Sequence, residues 1–198
     1  MSKHIIPSRS NISEHQRQVQ NGHKAAVLWL TGLPASGKTT IAVQLEQILF
    51  QKKIQTFNLD GDNIRGGLSA DLGFSIEERV ENIRRCGEVA KLFYEAGFLL
   101  IVSLISPIRA SRQCVRDLFP AGRFIEVFVD CPLRECERRD PKGHYAMARK
   151  GEVPFFTGVS ADYEAPLRPE IHLKTNELSV EACVQKIIDY LTEQKIIS

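Results

Sequence analysis

Several features are missing from this chain, and each absence closes off a class of function. No apolar run reaches the roughly 18 residues that a membrane span requires, and the N-terminus lacks the apolar core of a secretory signal. No C-x-x-C spacing occurs. The five cysteines, Cys86, Cys114, Cys131, Cys136 and Cys183, are odd in number and fall mostly in apolar-patterned segments, which argues for buried free thiols in a reducing compartment rather than for zinc or disulfides. Neither sign of charge is in excess: 26 basic residues against 24 acidic leave a net charge of +2, too balanced for a general nucleic-acid or membrane surface. Anionic ligands must be met locally instead. No asparagine is followed by lysine, so the N-K-x-D guanine reader of GTPases is absent. Internal repeats and low-complexity segments are also absent. The expected location is the cytoplasm, with neither nucleic acid nor membrane as partner.

What is present centres on Gly32-Leu33-Pro34-Ala35-Ser36-Gly37-Lys38-Thr39, which fits the phosphate-loop pattern G-x-x-x-x-G-K-S/T. Such a loop holds phosphate only between a buried strand and the first turn of a helix. The flanks agree: residues 25–31 form an apolar run of strand length, and Ile41, Ala42, Leu45, Ile48 and Leu49 follow at helical spacing over about 39–53. ATP is therefore expected here, with loop amides on the β-phosphate, Lys38 bridging β- and γ-phosphates, and the Thr39 hydroxyl on magnesium.

Further along, residues 55–60 read as a strand ended by Gly61-Asp62-Asn63. That places Asp60 and Asp62 at a strand's C-terminal edge, where ligands collect in open α/β sheets. Phosphoryl transfer needs one carboxylate for the attacking hydroxyl and another for the magnesium shell, and these two are the candidates. Ser75-Ile76-Glu77-Glu78 has the capping-box form and opens a helix to about Ala96, with Ile76, Val80, Ile83, Ala90 and Tyr94 as its expected buried stripe. Arg79 and Asn82 share a neighbouring face, and Arg79 with Arg65 makes a basic pair that suits an anion.

Residues 98–104 are the most apolar run and read as a central parallel strand. The acidic residue that often closes this strand in phosphate-loop proteins is missing, which strengthens the case for the earlier aspartates. Ser106 and Arg109 stand at the same edge. A helix over 109–119, a strand over 124–130, a helix opened by Pro132, a strand over 171–174 and a helix striped by Val180, Val184, Ile187, Ile188 and Leu191 follow. Between 141 and 169 the apolar periodicity fades. Tyr145, Phe155, Phe156 and Tyr163 within it need burial, so the segment is expected to be a lid.

The predicted fold is α/β, a three-layer phosphate-loop NTPase architecture whose mainly parallel sheet carries helices on both faces. Residues 25–198 form one kinase domain with its lid at about 141–169, preceded by a partly ordered N-terminal arm over 1–24. The alternative for that arm, with Lys3, Arg9, Arg17 and Lys24 against Glu14 alone, is a cleaved targeting segment.

From about Asn11 to Leu191 the residues resemble the adenylylsulfate kinase (APS kinase) family. The resemblance is carried by Asn21-Gly22-His23-Lys24, the loop through Thr40, Leu59-Asp60-Gly61-Asp62-Asn63-Ile64-Arg65 and Gly73-Phe74-Ser75. It continues through Glu81-Asn82-Ile83-Arg84-Arg85, Ser106-Pro107 with Arg109, Arg139-Asp140-Pro141-Lys142-Gly143, Phe156-Thr157-Gly158-Val159, Tyr163-Glu164-Ala165-Pro166 and Pro169-Glu170. It implies ATP-dependent phosphorylation of the 3'-hydroxyl of adenosine 5'-phosphosulfate (APS), with Mg2+, in a homodimer. Phe74 and Phe156 would sandwich the APS adenine, and Arg65, Arg79 and Asn82 would surround the phosphosulfate beside Ile105 and Ser106. Lys142 would approach the phosphates from the lid. Asp62 would stand near the attacking hydroxyl, Asp60 near the magnesium shell and Arg139 near the ATP base. Ser106 matches the family's phosphorylated serine, a role that direct in-line transfer does not need. Two departures are Pro34-Ala35, where Ser-Gly is usual, and His144, where leucine is common. The rival readings are another phosphate-loop kinase acting on a nucleoside or sugar, and a non-catalytic nucleotide-binding regulatory domain.

Overall fold

The computed structural model describes residues 10–198, so Lys3 and Arg9 of the expected arm lie outside the described residues. Five strands, β1 (Ala26–Thr31), β2 (Thr56–Asp60), β3 (Leu99–Ser103), β4 (Phe124–Asp130) and β5 (Ile171–Lys174), form one parallel sheet in the order β2-β3-β1-β4-β5. Because all five point the same way, their C-terminal ends share one edge. Around them lie α1 (Glu14–Asn21), α2 (Lys38–Gln51), α3 (Gly61–Gly66), α4 (Ile76–Glu95), α5 (Arg109–Arg116), α6 (Leu133–Arg139), α7 (His144–Arg149) and α8 (Val180–Glu193).

Every residue of β1 is buried, as expected for a strand covered on both faces. Alternate side chains serve opposite layers. Ala26, Leu28 and Leu30 pack with Ile41, Leu45 and Leu49 of α2 and with Val184, Ile187 and Leu191 of α8. Val27 and Trp29 pack on the other face with Ile83, Cys86 and Ala90 of α4 and Val115 of α5. The result is the three-layer α/β arrangement that the apolar runs predict. Four cysteines are buried free thiols, whereas Cys114 is exposed. No helix among the described residues is long and apolar enough to cross a membrane.

Two local expectations need correction, and the N-terminal arm takes a definite form. In the α4 stripe, Ile83, Ala90 and Tyr94 are buried, but Ile76 and Val80 are 64% and 42% exposed. In a β-α-β crossover the helix runs against the strands, so its first turns project past the sheet's C-terminal edge and have no sheet beneath them. In the 141–169 segment, Tyr145 is buried but Phe155 is 53% exposed, and α7 occupies part of what reads as irregular chain. The arm contains α1. A capping box at Ser13 and Gln16 starts it, and Gly22, at φ +70°, ends it. It buries none of its residues. Arg17 and Asn21 instead donate to the Ala96 and Gly97 carbonyls at the end of α4, at 3.4 and 3.1 Å.

If the two-faced core holds the sheet together, Leu45→Ala should lower unfolding free energy by about 2–5 kcal/mol in urea denaturation. A change below about 1 kcal/mol would contradict this packing.

Candidate active site

The 32–39 loop links β1 to α2. A Cβ on residue 32 would come within 2.4 Å of the Val129 carbonyl oxygen, so only glycine fits beside β4. Gly37, at φ +104°, caps α2 without a side-chain hydrogen bond, which leaves the first amides of the helix directed at an anion site. Lys38 is buried, and its ammonium donates to the Gly32 and Leu33 carbonyls at 3.0 and 2.7 Å. Burial pushes it down to about 8, against the opposing pull of Asp60 and Asp62. Ala35 adopts φ +59°, a left-handed conformation that costs an L-residue roughly 1–2 kcal/mol. In return, Leu33 and Ala35 pack against an apolar cluster of Cys131, Cys136 and Tyr145, and the Tyr145 hydroxyl donates to the Pro34 carbonyl at 3.0 Å. The Pro-Ala departure thus forms part of a contact between the loop and the 141–169 segment. The other departure, His144, lies edge-on to Phe156 at 6.5 Å.

From β2, Asp60 reaches the loop. The Thr39 hydroxyl donates to Asp60 Oδ2 at 2.8 Å, while Asp60 Oδ1 caps α3 by accepting from the Asp62 amide at 3.0 Å. One carboxylate therefore sets the distance between the loop and Asp62. Lys142 donates to Asp62 Oδ2 across the cleft, a bond that holds the lysine above its ordinary pKa.

The opposite wall is basic and aromatic. Arg65 donates to the Gly73 carbonyl at 2.8 Å, and its guanidinium lies 4.3 Å from the Phe74 ring centre. Arg79 lies 5.5 Å from the same centre and donates to the Phe74 and Phe155 carbonyls at 2.9 and 2.6 Å. Burial lowers the pKa of both arginines, and the charge of Arg65 lowers that of Arg79 further. Crowded cations of this kind favour a bound anion. Asn82 is buried, with its Oδ1 unpartnered in the structure. Phe156 packs edge-on against Tyr145 at 4.9 Å.

All these groups face one cavity of about 940 Å3. Pro34, Ala35, Gly37, Lys38, Thr39, Thr40, Asp60 and Asp62 line it together with Arg65, Phe74, Arg79, Asn82, Ile105, Ser106, Arg139, Lys142 and Phe156. Gly32, Leu33 and Ser36 are absent from the lining and support the loop from behind. Arg139 donates to the Thr175 carbonyl at 2.7 Å. Thr175 itself lines the cavity and donates to the Ser36 carbonyl at 2.8 Å. Sequence reasoning passed over Thr175, although it directly follows β5 at the ligand-collecting edge, which was the available signal. Ser106 is 2% exposed, at φ +41°, and its Oγ accepts from Trp29 Nε1 at 3.1 Å.

A phosphate cradle and an anion-attracting acceptor wall that open onto the same space make this a phosphotransferase site, and its loop makes the protein one of the phosphate-loop kinases. The family model for adenylylsulphate kinase matches residues 24–174. Curated adenylyl-sulfate kinases of Acaryochloris marina and Staphylococcus haemolyticus are each 52% identical over 99% of this chain, covering 96% and 98% of their own lengths. The solved Mycobacterium tuberculosis APS kinase CysC in complex with AMPPNP and APS superposes with a TM-score of 0.82 at 44% identity, over 86% of this chain and 99% of that one. The chain belongs to the adenylylsulphate kinase family.

The contact between Lys142 and Asp62 is exposed, with side-chain accessibilities of 58% and 73%, so solvent screens it. Lys142→Ala should therefore leave stability within about 0.5 kcal/mol of the wild type in thermal unfolding. A loss above about 2 kcal/mol would show that the pair is structural.

Proposed function

We propose that this chain transfers the γ-phosphoryl group of ATP directly to the 3'-hydroxyl of APS, giving 3'-phosphoadenosine 5'-phosphosulfate. The observation that carries the reading is the shared cavity: Lys38 and the loop, the cluster of Arg65, Arg79 and Phe74, and Asp62 all line it. Loop amides and Lys38 hold the triphosphate. Arg65, Arg79 and Asn82 hold the phosphosulfate, with Ile105 and Ser106 beside it, while Phe74 and Phe156 enclose the adenine. Asp62 orients the attacking hydroxyl and takes up its proton as the phosphoryl group leaves ADP. Arg139 and Thr175 border the base of ATP.

The hydroxyl of Thr39 and the carboxylate of Asp60 are hard oxygen donors 2.8 Å apart at the cavity edge. No group of three or more His, Cys, Asp or Glu that could hold a metal exists among the described residues. A pair of oxygens with room for phosphate and water fits Mg2+, which keeps much of its shell outside the protein. Magnesium held there would neutralise charge on the β- and γ-phosphates. Residues 25–198 act as one kinase domain, with 141–169 as a lid that excludes water when Lys142 and the Phe155 carbonyl engage the opposite wall. The family resemblance supports a homodimer and a cytoplasmic location.

Asp62→Asn should lower turnover with APS at least about a hundredfold, with circular dichroism unchanged. Near-normal turnover would remove Asp62 from the mechanism. Lys38 is cationic below about 8 and loses its charge as pH rises through that value. The dissociation constant for MgATP, measured by calorimetry, should therefore rise by up to about tenfold per pH unit above 8. Lys38→Met should bind weakly without that slope. A flat wild-type profile between about pH 7 and 9.5 would contradict the role given to Lys38.

A further inference from the structure

Arg112 of α5 does not line the cavity, yet it joins the Ser106 turn, which does, to two other parts of the chain, β4 and the far end of the 141–169 segment. It is 2% exposed. Its Nε donates to Glu126 Oε1 at 2.6 Å, its Nη1 to the Ser106 carbonyl at 2.6 Å, and its Nη2 to the Glu164 carbonyl at 2.8 Å. Glu126 belongs to β4, Ser106 to the turn after β3, and Glu164 to the far end of the 141–169 segment. Only a planar, multi-donor guanidinium can meet three acceptors that diverge in this way.

The Ser106 turn needs such support. Its φ of +41° is a left-handed conformation in a residue with a side chain, which persists only where the surroundings over-determine it. Trp29 Nε1 holds the Ser106 hydroxyl at 3.1 Å, and the Thr31 hydroxyl holds the Ile105 carbonyl at 2.8 Å. Arg112 supplies the third tie, to the Ser106 carbonyl. On the other side, the Glu164 amide donates to the Pro107 carbonyl at 2.9 Å and its carboxylate accepts from the Arg109 amide at 2.8 Å. The Tyr163 hydroxyl meets Thr31 Oγ1 at 3.0 Å. The end of the segment is thereby bolted to the turn that borders the acceptor.

We propose that Arg112 is a positioning residue that couples the C-terminal anchor of the lid to the Ile105 and Ser106 turn, so that lid placement and the fit of the acceptor are set by one buried guanidinium. This rests on the reading that the turn faces APS. Arg112 touches neither substrate, and its effect is on the acceptor side alone, because the phosphate loop is held by other contacts.

The test uses the full chain carrying Arg112→Lys, which keeps the charge beside Glu126 but cannot span all three acceptors. The measurements are KM for APS, KM for ATP, kcat, and the emission of Trp29, the single tryptophan of the chain, whose indole N–H is bonded to the Ser106 hydroxyl. The expected result is a KM for APS raised about tenfold or more, a KM for ATP within about twofold, and a shifted Trp29 emission. Glu126→Gln, which preserves shape but removes the buried charge that orients Arg112, should raise the KM for APS in the same selective way by about threefold. If Arg112→Lys does not fold, Glu126→Gln alone decides. Equal changes in both KM values, or none in either, with native Trp29 emission would overturn the proposal. A wild-type protein that transfers nothing to APS would instead refute the functional reading on which it stands.

Discussion

The site depends on the hydrogen bond from Thr39 to Asp60, 2.8 Å long, between the first turn of α2 and the end of β2. The loop joins α2 to β1, and in the sheet order β2-β3-β1 strand β3 lies between β1 and β2, so this bond ties together two elements that the sheet does not pair directly. Asp60 is register partner to Ser103, the last residue of β3. Where many phosphate-loop proteins carry a carboxylate at the end of β3, this chain has Ser103, and its register partner Asp60 places a carboxylate at the end of β2. Because the second oxygen of Asp60 caps α3 at the Asp62 amide, the position of Asp62 relative to the loop is fixed through the same group.

Stability and mobility divide along this frame. Buried contacts hold what must not move: the two apolar layers, the Lys38 ammonium folded against loop carbonyls, and the ion pair of Arg112 with Glu126, flanked by the partly buried pair of Arg116 with Glu170. The contacts from the 141–169 segment to Asp62 and Arg79 are exposed: the pair of Lys142 with Asp62 and the bond from Arg79 to the Phe155 carbonyl. Exposed contacts of this kind break at little cost, which suits groups that exchange partners when an anion enters. Two anchors of the segment are bonded to or through buried side chains: buried Tyr145 against the loop, and the Glu164 carbonyl against buried Arg112.

Much of this arrangement was legible in the residues. The continuous apolar runs of β1 and β3 declared a parallel sheet covered on both faces, β4 is rich in β-branched and aromatic residues, and β5 alternates apolar with polar residues. The cavity gathers most of the residues singled out from motif spacing: Lys38, Thr39, Asp60 and Asp62 stand at the end of a parallel strand or the start of a helix, while Arg65, Asn82, Arg139, Lys142 and Phe156 reach it from helix interiors, helix ends and loops. What escaped did so for physical reasons. α1 has no buried stripe and is held by side-chain bonds to carbonyls some 76 to 79 positions away, so periodicity could not announce it; only the Ser13 capping box could. Ile76 and Val80 repeat at helical spacing but extend past the sheet, and spacing records a face without recording what covers it. The roles of Arg112 and Thr175 arise from contacts between distant segments, which no local pattern contains.

The central claim is that the phosphoryl group crosses this gap in a single step, from the loop-bound triphosphate to the hydroxyl beside Asp62, without resting on Ser106. The stereochemical course of transfer to APS, read with ATP made chiral at the γ-phosphorus by oxygen isotopes, tests it most directly. One in-line displacement predicts inversion of configuration at phosphorus. Retention would mean two displacements through a covalent phosphoenzyme, and would contradict the account.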